Sequence, residues 1–160
     1  MRAPQGADRV QEFVEAVGAF FEEGGLPRMA GRIFGYLLIS VPPEQSLEAI
    51  AQALSTSKAS ISTNTRLLIQ IGMLERLKRP GDRKVYYRIR PGSFYTAVKA
   101  QLERITRFRL LSEEGLELLA DQPPELRARL MELREMYAFF ERELPAVLAR
   151  WEATHKEKQP

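Results

Sequence analysis

The chain contains no cysteine and a single histidine, His155, so several classes of protein are excluded at once. Without thiols there are no disulfides and no thiolate metal sites. One histidine gives neither a metal cluster nor a nucleophile with a matching base, and no glycine-rich phosphate loop is present. Neighbouring acidic residues, as in Glu22-Glu23, point apart on a helix and do not form a shared acid–base site. We therefore predict no catalytic residues, no cofactor, no metal and no enzymatic activity.

Long apolar runs are also lacking, and no stretch approaches the length of a transmembrane helix. The first residues, MRAPQGADR, contain no apolar signal segment. We predict no membrane partner and a cytoplasmic location. Hydrophobic residues make up 44% of the chain and charged residues 28%, which is typical of a folded globular protein.

Positive charge is concentrated in one segment. The whole chain has a net charge of only +3, but residues 55–90 contain nine basic and two acidic residues, a net charge of +7. The rest of the chain therefore carries −4. The nine are Lys58, Arg66, Arg76, Lys78, Arg79, Arg83, Lys84, Arg88 and Arg90. Neutralisation of phosphates supplies most non-specific affinity for DNA, so this concentration is typical of a DNA-binding module.

Residues 46–90 predict a winged helix-turn-helix. A short helix follows Ser46, and a second helix over 57–71 has Ser57 as its N-cap and ends before Gly72. Two alternating segments, 74–79 and 85–90, flank the turn sequence Pro-Gly-Asp-Arg and predict a two-stranded wing over 74–90. In such a motif the second helix, here called the recognition helix, enters the major groove of DNA.

The recognition helix has an inner stripe of Ile61, Thr65 and Leu68 and an outer stripe of small polar and basic side chains. Ser, Thr and Asn can approach base edges closely, and a cationic hairpin tip can reach phosphates or a narrow minor groove. The predicted DNA-binding residues are Ser57, Lys58, Ser60, Ser62, Thr63, Asn64, Arg66, Arg79, Arg83 and Lys84. The alternative is that these polar residues merely solvate the helix and the hairpin. Arg28 and Arg32, on the preceding helix, are either phosphate contacts or solvated surface charges.

Long helices flank this segment, so the predicted fold class is mainly α (α+β). The last helix, over about 124–154, has apolar residues at alternating gaps of four and three, which is a heptad stripe. They are Leu126, Leu130, Leu133, Tyr137, Phe140, Leu144, Val147 and Trp151. So wide a face predicts a homodimer, and the alternative is packing within one chain. We predict an N-terminal dimerisation or packing helix over 1–25, a DNA-binding domain over 26–92 and C-terminal dimerisation helices over 93–160.

Three segments carry a family resemblance: GRIFGYLL at 31–38, SKASIS at 57–62 and PGDRKVYY at 80–87. Residues 46–90 resemble the winged-helix domain of MarR-type transcriptional regulators, and the three segments resemble the GbsR-like branch. The resemblance implies a homodimer whose recognition helices enter successive major grooves and whose wings reach the minor groove. The usual wing carries Asp-x-Arg, with the arginine in the minor groove. Here Asp82 is followed by Arg83 and Lys84, which leaves open which of the two enters that groove.

We predict a sequence-specific regulator of transcription that binds double-stranded DNA, a repressor reading a pseudo-palindrome. The alternative is a winged-helix module that binds protein instead of DNA. A second hypothesis adds a small-molecule effector, apolar or cationic, in a cleft lined by aromatic rings, and the resemblance implies osmoprotectant-type effectors. The alternative is that these rings form ordinary core. They are Phe20, Phe21, Phe34, Tyr36, Phe94, Tyr95, Phe108, Tyr137, Phe139 and Phe140.

Overall fold

The computed structural model describes residues 5–156, and the side chains of 8–155. Within this range the chain is mostly helical with a small antiparallel sheet, so the predicted fold class is confirmed. It divides into two compact units, the first ending at Phe94 and the second beginning at Tyr95. The elements are α1 (Gln5–Glu23), α2 (Arg28–Ile39), β1 (Gln45–Ser46), α3 (Leu47–Ala53), α4 (Lys58–Gln70), β2 (Leu74–Lys78), β3 (Val85–Ile89), α5 (Ser93–Leu118) and α6 (Pro124–Lys156).

The wing is part of a three-stranded sheet with the strand order β1-β3-β2. Strands β2 and β3 pair as predicted, with Leu74 opposite Ile89 and Lys78 opposite Val85. The third strand, β1, pairs with β3 and has only two residues. A dipeptide is too short to show the alternation of inward and outward side chains, so the sequence pattern predicts only two strands.

The core of the first unit positions α4. Ile61, Thr65 and Leu68, the predicted inner stripe, are each no more than 1% exposed. They face the core that also contains Ile33 of α2 and Leu74 of β2. The Thr65 hydroxyl donates to the Ile61 carbonyl at 2.8 Å, which satisfies this buried polar group within the helix. With this stripe fixed inward, the opposite side of α4 faces outward.

Helices α1 and α2 approach each other closely through glycine. A Cβ added at Gly31 would lie 2.7 Å from both the Cβ of Phe21 and the carbonyl oxygen of Val17. A Cβ at Gly35 would lie 2.9 Å from the Cβ of Val17. Any larger side chain at these two positions would push the helices apart, so α1 packs as an integral part of the first unit.

The second unit consists of α5 and α6 packed on each other. Phe108 of α5 and Tyr137 of α6 meet edge to face at 5.1 Å between ring centroids. Arg109 of α5 pairs with Glu141 of α6 and, at 2.7 Å, with Glu113. Four heptad-stripe residues of α6 nevertheless remain 40–47% exposed: Leu126, Phe140, Val147 and Trp151. Within the second unit, packing against α5 therefore covers only part of the predicted apolar stripe.

Among the described residues, no helix combines the length and the apolar character needed to cross a membrane.

Candidate nucleic-acid interface

The recognition helix begins where the sequence predicts. Ser57 is the N-cap of α4, and its hydroxyl accepts a hydrogen bond from the Ser60 N–H at 3.2 Å. Ser46 caps α3 in the same way through the Ala49 N–H at 3.1 Å. Between the two helices Ser55 adopts a left-handed conformation with φ of 49°, which makes the connection sharp. The two capped helices and this turn form the helix-turn-helix.

The outer face of α4 carries the polar residues predicted to contact DNA, and none of them is buried. Ser57, Lys58, Thr63 and Arg66 are exposed, while Ser60, Ser62 and Asn64 are half-buried. One amide hydrogen of Asn64 is engaged within the helix, because its Nδ2 donates to the Ser60 carbonyl at 2.9 Å. The second amide hydrogen and the side-chain oxygen remain available to a base edge.

Lys58 already has a carboxylate partner. Its Nζ lies 3.2 Å from Oε1 of Glu48 on α3. The pKa of Glu48 is lowered, first by a backbone N–H and then by the hydrogen bond from Lys58. Both side chains are exposed, so solvent screens this pair and a phosphate can compete for the lysine.

Asp82 organises the wing tip. Its carboxylate accepts the Lys84 N–H at 2.9 Å and the Tyr86 hydroxyl at 2.7 Å. These two hydrogen bonds lower the pKa of Asp82, and the second raises the pKa of Tyr86. The Arg79 guanidinium lies 4.1 Å above the Tyr86 ring and 2.9 Å from Oε2 of Glu44. The tip is therefore held by side-chain contacts as well as by the ladder between β2 and β3.

The nine cations of residues 55–90 fall into two groups. Lys58, Arg79 and Arg88 form ion pairs with glutamates. Among the described side chains, the other six are exposed and form no close ion pair with a carboxylate. These six are Arg66, Arg76, Lys78, Arg83, Lys84 and Arg90. We call them the free cations.

Three of the free cations line a groove of about 360 Å³ between the start of α3 and the wing. Arg76, Arg83 and Lys84 lie along it together with a single carboxylate, that of Glu48. A groove with three cations and one acid is attractive to a phosphate backbone.

Comparison with known proteins agrees with this arrangement. A profile of the MarR family matches residues 37–86, and a profile of the MmpR5-like MarR family transcriptional regulators matches residues 92–155. The HTH-type transcriptional regulator MmpR5 of Mycobacterium tuberculosis (strain ATCC 25618 / H37Rv) is 41% identical over 142 residues, which is 89% of this chain and 86% of that protein. The chain belongs to the MarR family of transcriptional regulators.

A crystal structure of a transcriptional regulator, 40% identical, superposes with a TM-score of 0.74 and covers 91% of this chain and 99% of the other. This MarR-family chain is therefore a DNA-binding transcriptional regulator and not an enzyme, as the sequence predicts. The matched branch is the MmpR5-like one, and the predicted GbsR-like branch is not confirmed.

Two arginines of α2 in this MarR-family regulator differ from the sequence-based interpretation. Arg28 is exposed but paired, with Nη2 3.1 Å from Glu15 and Nη1 3.4 Å from Glu22. The Arg32 side chain is only 17% exposed; its Nε lies 2.7 Å from Glu15, and its Nη2 donates to the Leu54 carbonyl at 3.2 Å. Arg32 is thus neither a solvated charge nor free to reach a phosphate.

The structure also contains ion pairs that the sequence pattern does not predict. Glu44 receives Arg79 and, at 3.5 Å, Arg88, and Glu15 receives Arg28 and Arg32. These partners lie 13 to 44 residues apart along the chain. Helical and strand periodicity relate only near neighbours, so no signal in the sequence indicated these pairs.

Most of the aromatic residues predicted to line an effector cleft pack in small separate groups. In the first unit Phe34 contacts Phe21 and Phe94, with centroids 5.3 and 6.0 Å away. In the second unit Phe108 contacts Tyr137, and other rings pair along α6. Phe20 is 71% exposed. Within each unit these contacts are those of ordinary packing. The described residues also contain no group of three or more His, Cys, Asp or Glu side chains suited to a metal ion.

Proposed function

We propose that this MarR-family regulator binds a pseudo-palindromic operator as a homodimer and represses transcription. In this proposal, recognition helix 57–71 enters the major groove and wing 74–90 contacts the minor groove and backbone. The observation that carries it is that one unit presents both the unburied polar face of α4 and the six free cations.

Thr63 and Arg66 are exposed on α4, and we assign them to base edges or adjacent phosphates. Ser60, Ser62 and Asn64 are half-buried, so contact with them requires close approach of the groove. Ser57 and Lys58, at the start of α4, are placed for backbone contacts, because helix N-termini commonly bind phosphate.

At the wing tip we assign the minor groove to Arg83. Its side chain is exposed and has no carboxylate partner among the described residues. Lys84 is tied to Asp82 through its backbone N–H and contributes to the lowered pKa of Glu48, so it lies beside an acid. Arg79, held by Glu44 and Tyr86, supports the tip and contacts the backbone.

The homodimer is supported by the apolar residues that remain half-exposed. On α6 these include Phe140, Val147 and Trp151, and on α1 they include Phe13 and Phe20. A second copy covering these faces matches the proposed roles of residues 1–25 and 93–160, with residues 26–92 as the DNA-binding domain. Twofold symmetry would place two recognition helices about one helical turn of DNA apart.

That a small apolar or cationic effector binds this regulator is a separate hypothesis. The GbsR-like resemblance and its osmoprotectant-type effectors remain predictions, as does a cytoplasmic location, which a regulator that meets the chromosome requires. A thermal-shift screen of apolar and quaternary ammonium compounds tests the hypothesis, because a ligand that binds the folded state raises Tm. No shift with any compound would count against it.

The experiment that tests the central proposal is selection of bound sites from random duplex DNA. We expect an enriched pseudo-palindrome with half-sites about 10 base pairs apart, and binding that weakens steeply with salt. A single unpaired half-site would contradict the dimer. No enrichment, together with binding that is insensitive to salt, would favour the alternative of a protein-binding module.

A further inference from the structure

The Arg32 side chain connects three helices of the first unit. It projects from α2, lies against Glu15 of α1 and donates from Nη2 to the Leu54 carbonyl at the end of α3. The Nε of Arg32, 2.7 Å from Oε1 of Glu15, makes no aligned hydrogen bond, so that contact is a close ion pair. Its aliphatic stem packs on α1, because a Cβ added at Gly18 would lie 2.9 Å from the Arg32 Cγ.

The carbonyl that Arg32 binds, that of Leu54, lies in the turn between α3 and α4. The last carbonyls of a helix have no partner within the helix, and Leu54 is the C-cap of α3. The next residue, Ser55, is the left-handed one, and Ser57 is the N-cap of α4. The Leu54 carbonyl therefore lies in the turn whose conformation sets the angle between α3 and the recognition helix.

We propose that Arg32 is a positioning residue for DNA binding. It ties the α3–α4 turn to α1 through Glu15, so that α4 is already oriented when it meets the major groove. This inference rests on the proposed function of α4. Arg32 is mostly buried and paired, so it acts through the turn and touches no phosphate.

The test compares Arg32→Lys and Arg32→Gln with Arg28→Gln, in the full chain bound to the selected operator. Arg28 is the matched control, because it pairs with the same Glu15 but is bonded only within α1 and α2. Lysine can keep the ion pair with Glu15 but lacks the planar fork that also reaches the carbonyl. We expect Arg32→Lys to weaken operator binding about tenfold, the effect of losing one charge-assisted hydrogen bond. Arg28→Gln should stay within about twofold of wild type, as is usual for exposed pairs.

Two further readouts separate positioning from other roles. The slope of log affinity against log salt should be unchanged in Arg32→Lys, since no phosphate contact is lost. Without DNA, amide hydrogen exchange should accelerate at Ser55 and Thr56, whose N–H groups bond to Gln52 and Ala51 across the turn. Urea unfolding should show that Arg32→Lys still folds cooperatively, although less stably than wild type, which keeps the result interpretable if Arg32→Gln fails to fold.

The outcomes are distinguishable. Wild-type affinity in Arg32→Lys would overturn the inference while leaving the proposed function intact. If the slope of log affinity against log salt fell by about 0.9 per DNA-binding domain, Arg32 would contact a phosphate directly, and the inference would also be overturned. Failure of the wild-type protein to bind any duplex would remove the proposed function, and the inference with it.

Discussion

Arg83 offers the sharpest quantitative test of how this regulator meets DNA. The residue is exposed at the wing tip and has no carboxylate partner in the described part of the chain. It therefore breaks no internal ion pair when it enters the minor groove. Arg83→Ala should remove one cation per DNA-binding domain from the minor groove, where it neutralises the charge of about one phosphate. Asp82 should stay in place, because it is held by the Lys84 backbone and Tyr86.

The expected magnitude follows from counterion release. Each neutralised phosphate contributes about 0.9 to the slope of log affinity against log salt. A dimer in which both DNA-binding domains carry the substitution should therefore have a slope smaller by about 1.8. Between about 50 and about 200 mM salt, a fourfold change, this difference in slope amounts to roughly tenfold in affinity. The variant should therefore bind more weakly than wild type at low salt but lose less affinity as salt rises.

Fluorescence anisotropy with the selected operator at four or more salt concentrations measures both quantities. Lys84→Ala, beside Glu48, should change the slope less than Arg83→Ala does. Arg129→Ala, an exposed arginine on α6, is the control and should leave the slope unchanged. The reasoning is refuted if Arg83→Ala keeps the wild-type slope, or if Arg129→Ala lowers it equally.

Three further predictions concern the parts that hold the interface in place. Ile61→Ala, at a fully buried position of α4, should lower the free energy of unfolding, measured in urea, by about 2–5 kcal/mol. The control Val41→Ala, at a position 94% exposed, should change it by about 0.5 kcal/mol or less. Equal effects of the two substitutions would contradict the described core. Gly31→Ala should destabilise by about 1–3 kcal/mol despite the better helix propensity of alanine, because the new Cβ meets α1, and a stabilised variant would show that the helices are further apart. The pKa of Asp82 lies below its ordinary 3.8, so its hydrogen bonds should stabilise the wing fully above that pH and be lost as pH falls through the lowered value. An Asp82 carboxyl titration followed by NMR that has its midpoint at or above 3.8 would disprove this.

Local patterns of the sequence predicted the recognition helix well. Ser57 caps it, and Ile61, Thr65 and Leu68 are buried, because capping and a 3.6-residue period depend only on near neighbours. The bounds of the wing strands agree with the prediction to within one residue at each end.

Features that depend on distant partners were not predictable. The pair of Glu15 and Arg32 joins residues 17 positions apart on different helices, and nothing in either helix indicates the other. The assignments of individual residues to DNA remain predictions that the experiments above test.

The glycine contact between α1 and α2 matters for any attempt to transfer the DNA-binding domain to another protein. A fragment starting at residue 26 would strip away Val17 and Phe21, leaving the flat glycine surface of α2 open to water and Arg32 without Glu15. The smallest transferable DNA reader in this chain should therefore begin with α1, and a chimera that omits that helix should fold poorly even though every residue facing the groove is retained.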